Sequence, residues 1–464
     1  MTYKSTFSKQ QAPAAYEAPR LEPLPFLAMR KPGIQDVLAT DHLDGGIRAR
    51  ALLEKFGSPL YVVSEERLRG DYRAFEEAFS RPGIETRVAY SIKTNYLPAI
   101  CSVILDEGAW AEVVSGMEYD LVRSLGVPGS KIIFNGPYKT PEELTRAFAD
   151  GALVNVDNFD ELSLVEQMAN NSDRPIRIGI RVSFRYGMWP WVKFGFSDDN
   201  GDCQLALERI ARHPQLDLEC LHNHSGTFLL NHDVYANSAD RLIDVARRAR
   251  NLGLTPTMID MGGGFPSVNT LKPALDVPGG STRNDGYLAP YGEIVCSRVL
   301  QARELFGGEP RLVLEPGRAV VDASVKLACT VIAKKRIAGK GDAIIVDAGN
   351  NLVPTSVYYE HGMSADSGGE QRRVPVSIFG PLCMQNDVIR EQALLPPVEI
   401  GDSLVVSNVG AYCHTQSSQF IQPRPATVLL GPDGPEMIRR RESWRDVFAL
   451  DRIPSRLRGN DVES

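Results

Sequence analysis

The chain has 464 residues, 43% of them apolar and 23% charged, and its 51 Lys and Arg against 58 Asp and Glu leave a net charge of −7. This is ordinary globular usage and enough chain for about three domain equivalents, which excludes disordered and fibrous classes. A mildly acidic total with no dense basic run argues against a nucleic-acid partner, and the longest apolar stretch, near Ala319–Ala333, is broken by Asp322 and Lys326, so no membrane-spanning helix is expected.

Residues 1–25 lack the apolar core of a secretory signal and read as a flexible N-terminal arm, or a strap over a neighbouring subunit. The segment from 26 to about 60 precedes a short apolar run, Leu60–Val63, that leads into the main body. From Val88 onward, eight strand-like runs alternate with amphipathic stretches: Val88–Lys93, Trp110–Val114, Ile132–Asn135, Leu153–Asp157, Ile176–Val182, Leu218–His224, Met258–Met261 and Leu312–Glu315. Helices are expected between them, among them Glu161–Ala169 and Asp240–Leu252. Eight β-α alternations fit a (β/α)8 barrel, although an open doubly wound sheet alternates in the same way. After Arg318 the texture turns β-rich at Ala319–Val331, Asp342–Val346, Val374–Phe379 and Ser403–Val406, with a turn at Gly431-Pro432-Asp433-Gly434. The expected domains are therefore a barrel over 64–318 and a β-rich domain built from 26–63 and 319–464.

Cysteines 101, 203, 220, 296, 329, 383 and 413 form no CxxC pair, and their odd number is unlike a secreted disulfide framework. A reducing, cytoplasmic compartment fits this usage. Unusual residues collect at the C-terminal ends of the strand-like runs, where barrel enzymes build their active sites. The first run ends in Tyr90-Ser91-Ile92-Lys93-Thr94-Asn95. A lysine there either snorkels out of the strand end or, when desolvated, serves as an amine that condenses with a carbonyl. The sixth ends in His222-Asn223-His224-Ser225-Gly226-Thr227, with both histidines on one side by strand alternation. No carboxylate or cysteine partner stands at ligand spacing, so hydrogen-bonded histidines are expected and no metal.

Gly262-Gly263-Gly264 follows the seventh run and reads either as a tight turn or as bare N–H groups for an anion. Glu315-Pro316-Gly317-Arg318 closes the eighth, placing a carboxylate and a guanidinium together as a structural ion pair or as part of a site. Gly380-Pro381-Leu382-Cys383-Met384-Gln385-Asn386-Asp387 puts a cysteine in a loop, and Gly410-Ala411-Tyr412-Cys413 offers a phenol at a strand end.

Taken in order, YSIKTN, HNHSGT, DMGGGFP, EPGR, GPLCMQND and GAY resemble the fold-type III pyridoxal phosphate (PLP) decarboxylases, the diaminopimelate, ornithine and arginine decarboxylase family. Val114–Glu118, Asn155–Asp157 and Lys193-Phe194-Gly195 add matches closest to the diaminopimelate branch, and the likeness spans roughly residues 50 to 430. It implies an alanine-racemase-like (β/α)8 TIM barrel plus a C-terminal all-β domain. It also implies PLP held by Lys93 as an internal aldimine, stacked by His224 and hydrogen-bonded at its ring nitrogen by Glu315. Gly262, Gly263, Gly264, Gly317 and Tyr412 would surround the phosphate, with Thr227 standing where the family usually has a serine. Arg318 would bind phosphate or a substrate carboxylate. Cys383, donated across a head-to-tail homodimer, would protonate the substrate carbon after CO2 leaves.

A carboxylate at the ring nitrogen deepens the electron sink and favours decarboxylation over racemisation. A racemase, or a non-catalytic regulator on a decarboxylase fold, remains the alternative. The pattern breaks at the substrate end. The residue after the loop cysteine is glutamate in diaminopimelate decarboxylases and aspartate in the ornithine enzymes, but here it is Met384. The arginine that grips a distal carboxylate is also missing from Asp347–Tyr359, which leaves Thr355 and Tyr359 beside Arg318 and Met384 as substrate candidates. Each lost buried charge would cost such a substrate about 2–5 kcal/mol. An amino acid or amino-acid-derived substrate other than meso-diaminopimelate is expected. The aromatic loop Arg185–Trp191 either lines that changed pocket or simply packs.

Overall fold

The computed structural model describes residues 43–186, 191–272, 287–365 and 373–457. The N-terminal arm and the centre of the aromatic loop, Gly187–Pro190, lie outside them. The chain enters through a helix at Ala49–Phe56 and strand β1 (Leu60–Ser64). Ser64 ends that strand and caps the next helix, Glu65–Phe79, its Oγ accepting from Arg67 N at 3.2 Å.

Eight parallel strands follow: β2 (Glu85–Ser91), β3 (Trp110–Val113), β4 (Ile132–Phe134), β5 (Leu153–Val156), β6 (Ile176–Ser183), β7 (Leu216–His222), β8 (Met258–Asp260) and β9 (Arg311–Leu314). Each pairs with the next, and β9 returns to β2, so the sheet closes into a barrel. Closure settles the choice left open by simple alternation, since an open sheet keeps two edges. All eight expected runs are present. The helices over 161–169 and 240–252 extend to Phe159–Asn170 and Asp233–Asn251. Asn158 caps the first of these, its Oδ1 accepting from Glu161 N at 2.9 Å, and Thr140 and Glu143 form a reciprocal capping box at the start of the helix Pro141–Asp150.

Strands alternate their side chains, so residues two apart share a side. Inside the barrel Ala89, Ile133, Leu153, Cys220, Met258 and Val313 form one apolar cluster with Trp110 packed against it. Adding two to each position gives Ser91, Asn135, Asn155, His222, Asp260, Glu315 and Glu112, and Arg181 stands two beyond Gly179 on β6. All eight residues of this upper layer are polar and all are buried. The barrel therefore has an apolar plug below and a polar floor above, at the C-terminal ends of its strands.

The second sheet is all-β apart from short turns. Strands β10 (Val325–Ile337), β11 (Gly341–Val346), β12 (Val374–Phe379), β13 (Val388–Leu395), β14 (Ser403–Val406), β15 (Ala426–Gly431) and β16 (Gly434–Arg439) join β1 in the order β13-β12-β11-β10-β1-β15-β16, and β14 also pairs with β10, at residues 327–330. Leu60–Val63 pairs within this sheet, β1 lying between β10 and β15, before the chain turns into the barrel. One expectation is corrected. Arg318–Val321 is a helical turn, so the β-rich stretch begins only at Val325. Gly317 caps that turn, and the amides of Val320 and Val321 both return to its carbonyl.

Lys139 lies just after β4 with its side chain fully buried, and Nζ donates to Glu161 Oε1 at 2.7 Å and to the carbonyls of Gly136 at 2.9 Å and Asn155 at 3.2 Å. Breaking one side of a buried pair costs about 3–5 kcal/mol, because the remaining charge stays uncompensated. Lys139→Met should lower the unfolding free energy in urea by that amount, and adding Glu161→Leu should recover part of the loss.

Candidate active site

The polar floor is tied together by hydrogen bonds. Lys93 does not close β2 as the sequence suggests; it sits two residues past the strand, in the 3-10 turn Ile92–Thr94. The turn frees the side chain to fold back, and Nζ donates to Glu112 Oε2 at 2.6 Å and to Ser91 Oγ at 2.8 Å. Glu112 is buried, whereas 36% of the Lys93 side chain remains accessible from above. Burial works to lower the amine's pKa, but the facing carboxylate of Glu112, with Glu315 behind it, outweighs that and holds it above its ordinary value.

Glu315 lies across the floor, its Oε1 accepting from Asn135 Nδ2 at 2.6 Å and its Oε2 lying 3.4 Å from His222 Nε2. Burial pushes this carboxyl up, but His222 and then Lys93 overcome it and keep Glu315 well below the usual carboxylate range. Asp260 is raised instead, by burial and by the like charge of Glu315. Its Oδ1 also accepts from Gly262 N at 2.8 Å, which starts the glycine turn.

His224 stands two residues beyond the end of β7, so strand alternation alone does not set its side. Gly263 N donates to its Nδ1 at 2.9 Å, and Trp191 packs on it with ring centroids 5.3 Å apart. Burial, then the nearby charges of Arg181 and Lys93, hold its pKa well below the ordinary histidine value, leaving a neutral ring. A Cβ on Gly262 would stand 2.6 Å from Asn223 O and one on Gly264 2.5 Å from Gly226 O, while one on Gly263 would collide with Glu315 O and one on Gly317 with Thr94 Oγ1. At Gly262–Gly264 the backbones approach too closely for any side chain, and at Gly317 the Thr94 side chain fills the space. Thr227 is exposed just past Gly226.

Arg318 is buried, and its Cζ lies over the rings of Tyr359 at 4.7 Å, Tyr412 at 5.1 Å and Phe228 at 5.7 Å. Its Nε and Nη1 have no hydrogen-bond partner among the described residues, and Nη1 is 3.7 Å from Asp322 Oδ2. A buried guanidinium with open donors beside bare glycine amides is suited to an anion. Tyr412 is stitched to the lysine turn, its N donating to Thr94 O at 2.9 Å. Thr355 Oγ1 is engaged, 2.9 Å from both His361 Nε2 and Cys413 Sγ.

Cys383 and Met384 are not drawn into this cluster within one chain. Cys383 is exposed, and its loop is held by Asp387, whose carboxylate accepts from Asn350 N at 2.7 Å and Leu382 N at 2.8 Å. Sequence reasoning missed Glu112, Asn135, Asn155, Arg181 and Asp260 as site residues and left His222 without a role. Their signal is the step of two from an apolar interior position, legible only once the interior side of each strand is known. Histidine 222, Asp260 and Glu315 also lie close enough together to hold a metal ion, yet Glu315 is already engaged by Asn135, and the glycine turn and Lys93 point to an organic anion with a carbonyl.

Residues 65–322, more than half of the chain, match the family model for the pyridoxal-binding domain of pyridoxal-dependent decarboxylases. A diaminopimelate decarboxylase of Actinosynnema pretiosum subsp. auranticum is 31% identical, the alignment covering 87% of this chain and 91% of that one. That of Archaeoglobus fulgidus is 28% identical over 88% and 96%. The crystal structure of the Methanocaldococcus jannaschii diaminopimelate decarboxylase superposes with a TM-score of 0.80 at 28% identity, covering 90% of this chain and 98% of that chain. The fold and site thus define a barrel enzyme that works with pyridoxal phosphate. The chain belongs to the pyridoxal-dependent decarboxylases and is a PLP-dependent carboxy-lyase.

Glu112 is the nearest group that holds a proton on Lys93, so Glu112→Gln should remove the main opposition to burial and lower the amine's pKa. Each unit of that fall raises the neutral fraction about tenfold. Amine-selective labelling of Lys93 in the PLP-free protein, followed by peptide mass spectrometry, should therefore speed up about tenfold or more at neutral pH. An unchanged rate would mean that Glu112 does not control that proton.

Proposed function

We propose that this chain removes the α-carboxylate of an amino acid, or of an amino-acid-derived substrate, other than meso-diaminopimelate. The observation that carries the reading is the Lys93 amine, held by Glu112 over a buried polar floor whose opposite side is the ionised Glu315. PLP bound there supplies a sink for the electron pair left when CO2 departs. Lys93 is the residue that would hold it, with the neutral ring of His224 against its face and Glu315 at its ring nitrogen. The amides of Gly262–Gly264, Gly317 with the start of its helical turn, the open donors of Arg318, and Tyr412 and Thr227 suit its phosphate.

Glu315 also separates this reading from racemisation, because an ionised carboxylate keeps the ring nitrogen protonated. The substrate's far end would meet Tyr359, Thr355 and Met384. The M. jannaschii and Helicobacter pylori diaminopimelate decarboxylases have been solved with L-lysine, whereas here Met384 offers nothing to a distal ammonium and Val353-Pro354 nothing to a distal carboxylate. Trp191 against His224 adds an apolar wall from the aromatic loop.

Cys383 Sγ is the proposed proton donor to the substrate α-carbon, delivered by a second copy of the chain in a head-to-tail homodimer. Its exposure, and the tethering of its loop through Asp387 to Asn350 rather than to the barrel floor, support a role across subunits. The same reading takes residues 64–318 as the cofactor-holding domain and 26–63 with 319–464 as the β-rich domain, supported by the family match and by the pairing of β1. Seven free thiols, six of them buried, favour a reducing, cytoplasmic setting.

Purified protein should show a visible absorbance band with PLP that Lys93→Ala abolishes, and screening amino acids for CO2 release by mass spectrometry should find a substrate. A wild-type protein with no band after PLP is added overturns the reading, and efficient release from meso-diaminopimelate overturns its substrate half. Cys383→Ala should turn over about 10²–10⁴-fold more slowly or divert product to an aldehyde; unchanged kinetics and products would remove its role.

A further inference from the structure

Asn135 stands at the centre of the polar floor, 3% exposed, with both amide hydrogens directed at carboxylates. Its Nδ2 donates to Glu112 Oε1 at 3.1 Å and to Glu315 Oε1 at 2.6 Å, and its Oδ1 accepts from Asn155 Nδ2 at 2.8 Å. Carboxylates only accept, so the amide can face them only through its nitrogen. Asn155 fixes the same orientation from the other side, and Gly179 makes room for it, since a Cβ there would overlap Asn155 Oδ1. Asn155 is in turn anchored through its carbonyl by buried Lys139 at 3.2 Å.

The result is one continuous path, Lys93–Glu112–Asn135–Glu315–His222, through links of 2.6, 3.1, 2.6 and 3.4 Å. Two ionised carboxylates in a low-dielectric floor repel each other, and a shared NH2 group is the smallest uncharged donor that stabilises both. We propose that Asn135 is a positioning residue that ties the carboxylate beside Lys93 to the carboxylate across the floor, so that both stay fixed beneath the cofactor. The inference rests on the reading in which Lys93 and Glu315 hold PLP, and adds to it a coupling between the two ends of the site. Asn135 acts through these two residues and does not itself touch the reacting atoms.

Asn135→Ala and the milder Asn135→Ser remove the bridge, and Asn135→Asp keeps its volume but adds a third carboxylate. Each would be compared with wild type by melting temperature, by the visible spectrum after PLP is added, and by kcat and KM on the substrate found by CO2 release. The expected result is a band changed in position or intensity, and kcat reduced about tenfold or more, the scale of one hydrogen bond to a charged group, with KM within about threefold. Asn135→Asp should be the most affected. Folded variants with wild-type spectrum and kcat overturn the inference, as does a series in which kcat falls only in step with melting temperature. Loss of the band in Lys93→Ala alongside an unaltered Asn135 series rejects the coupling alone, whereas a wild-type protein that gives no band rejects the underlying reading.

Discussion

A charged layer with little access to water is the constraint on which the rest of the structure depends. Eight buried polar side chains, one per barrel strand, close the top of an apolar plug. An isolated buried carboxylate costs several kcal/mol, and here Lys93, Asn135 and His222 face Glu112 and Glu315 and offset that cost. Arg181 supplies a further positive charge to the layer from β6. The floor is thus balanced before any ligand arrives, which gives a polar surface whose hydrogen bonds already point in fixed directions.

The same constraint explains where small residues and turns occur. The glycine run after β8 and Gly317 after β9 bring backbone amides close to the floor, where a side chain would collide with Glu315 O or Thr94 Oγ1. The 3-10 turn after β2 lets Lys93 reach back to Glu112, which an extended strand would not allow. Tyr412 is bonded to that turn at Thr94 O, so the second sheet reaches the barrel mouth at the residue next to the lysine.

The fold was legible because parallel barrel strands are buried on both sides and read as short apolar runs between helices. The chemistry-bearing residues outside the strands, Lys93, His224, the glycines and Arg318, were legible as awkward residues at run ends and in an order that matches a family. The floor was not. When both sides of a strand are buried, alternation carries little contrast, so nothing local tells which of Val113 and Glu112 faces the interior. The bridge from Asn135 to Glu315 joins positions 180 apart in sequence, and no local pattern announces it. The helical turn at Arg318–Val321 was read as strand because its Ala-Val-Val sequence is as apolar as β10; its start is set by Gly317 and the close approach to Thr94, which are tertiary effects.

Chemistry and specificity are carried by different parts of the chain. The floor, the lysine turn and the glycine turn belong to the barrel and are bound into one network, where a change at one member leaves another buried charge exposed to the cost of isolation. The residues proposed to meet the far end of a substrate, Thr355, Tyr359 and Met384, lie on connections of the second sheet. Met384 sits in a loop whose bonds run to Asp387 and Asn350 and not to the floor, so its replacement disturbs no buried charge. A family member can therefore lose the acidic residue of that loop and the arginine near Val353 without disturbing Lys93 or Glu315. Arg318 marks the border between the two: it begins the turn after β9, yet its guanidinium lies against Tyr359 and Tyr412, on segments that connect strands of the second sheet. Substitutions that alter substrate choice should then be tolerated up to those aromatic rings and become costly below them, where the balance of the floor begins.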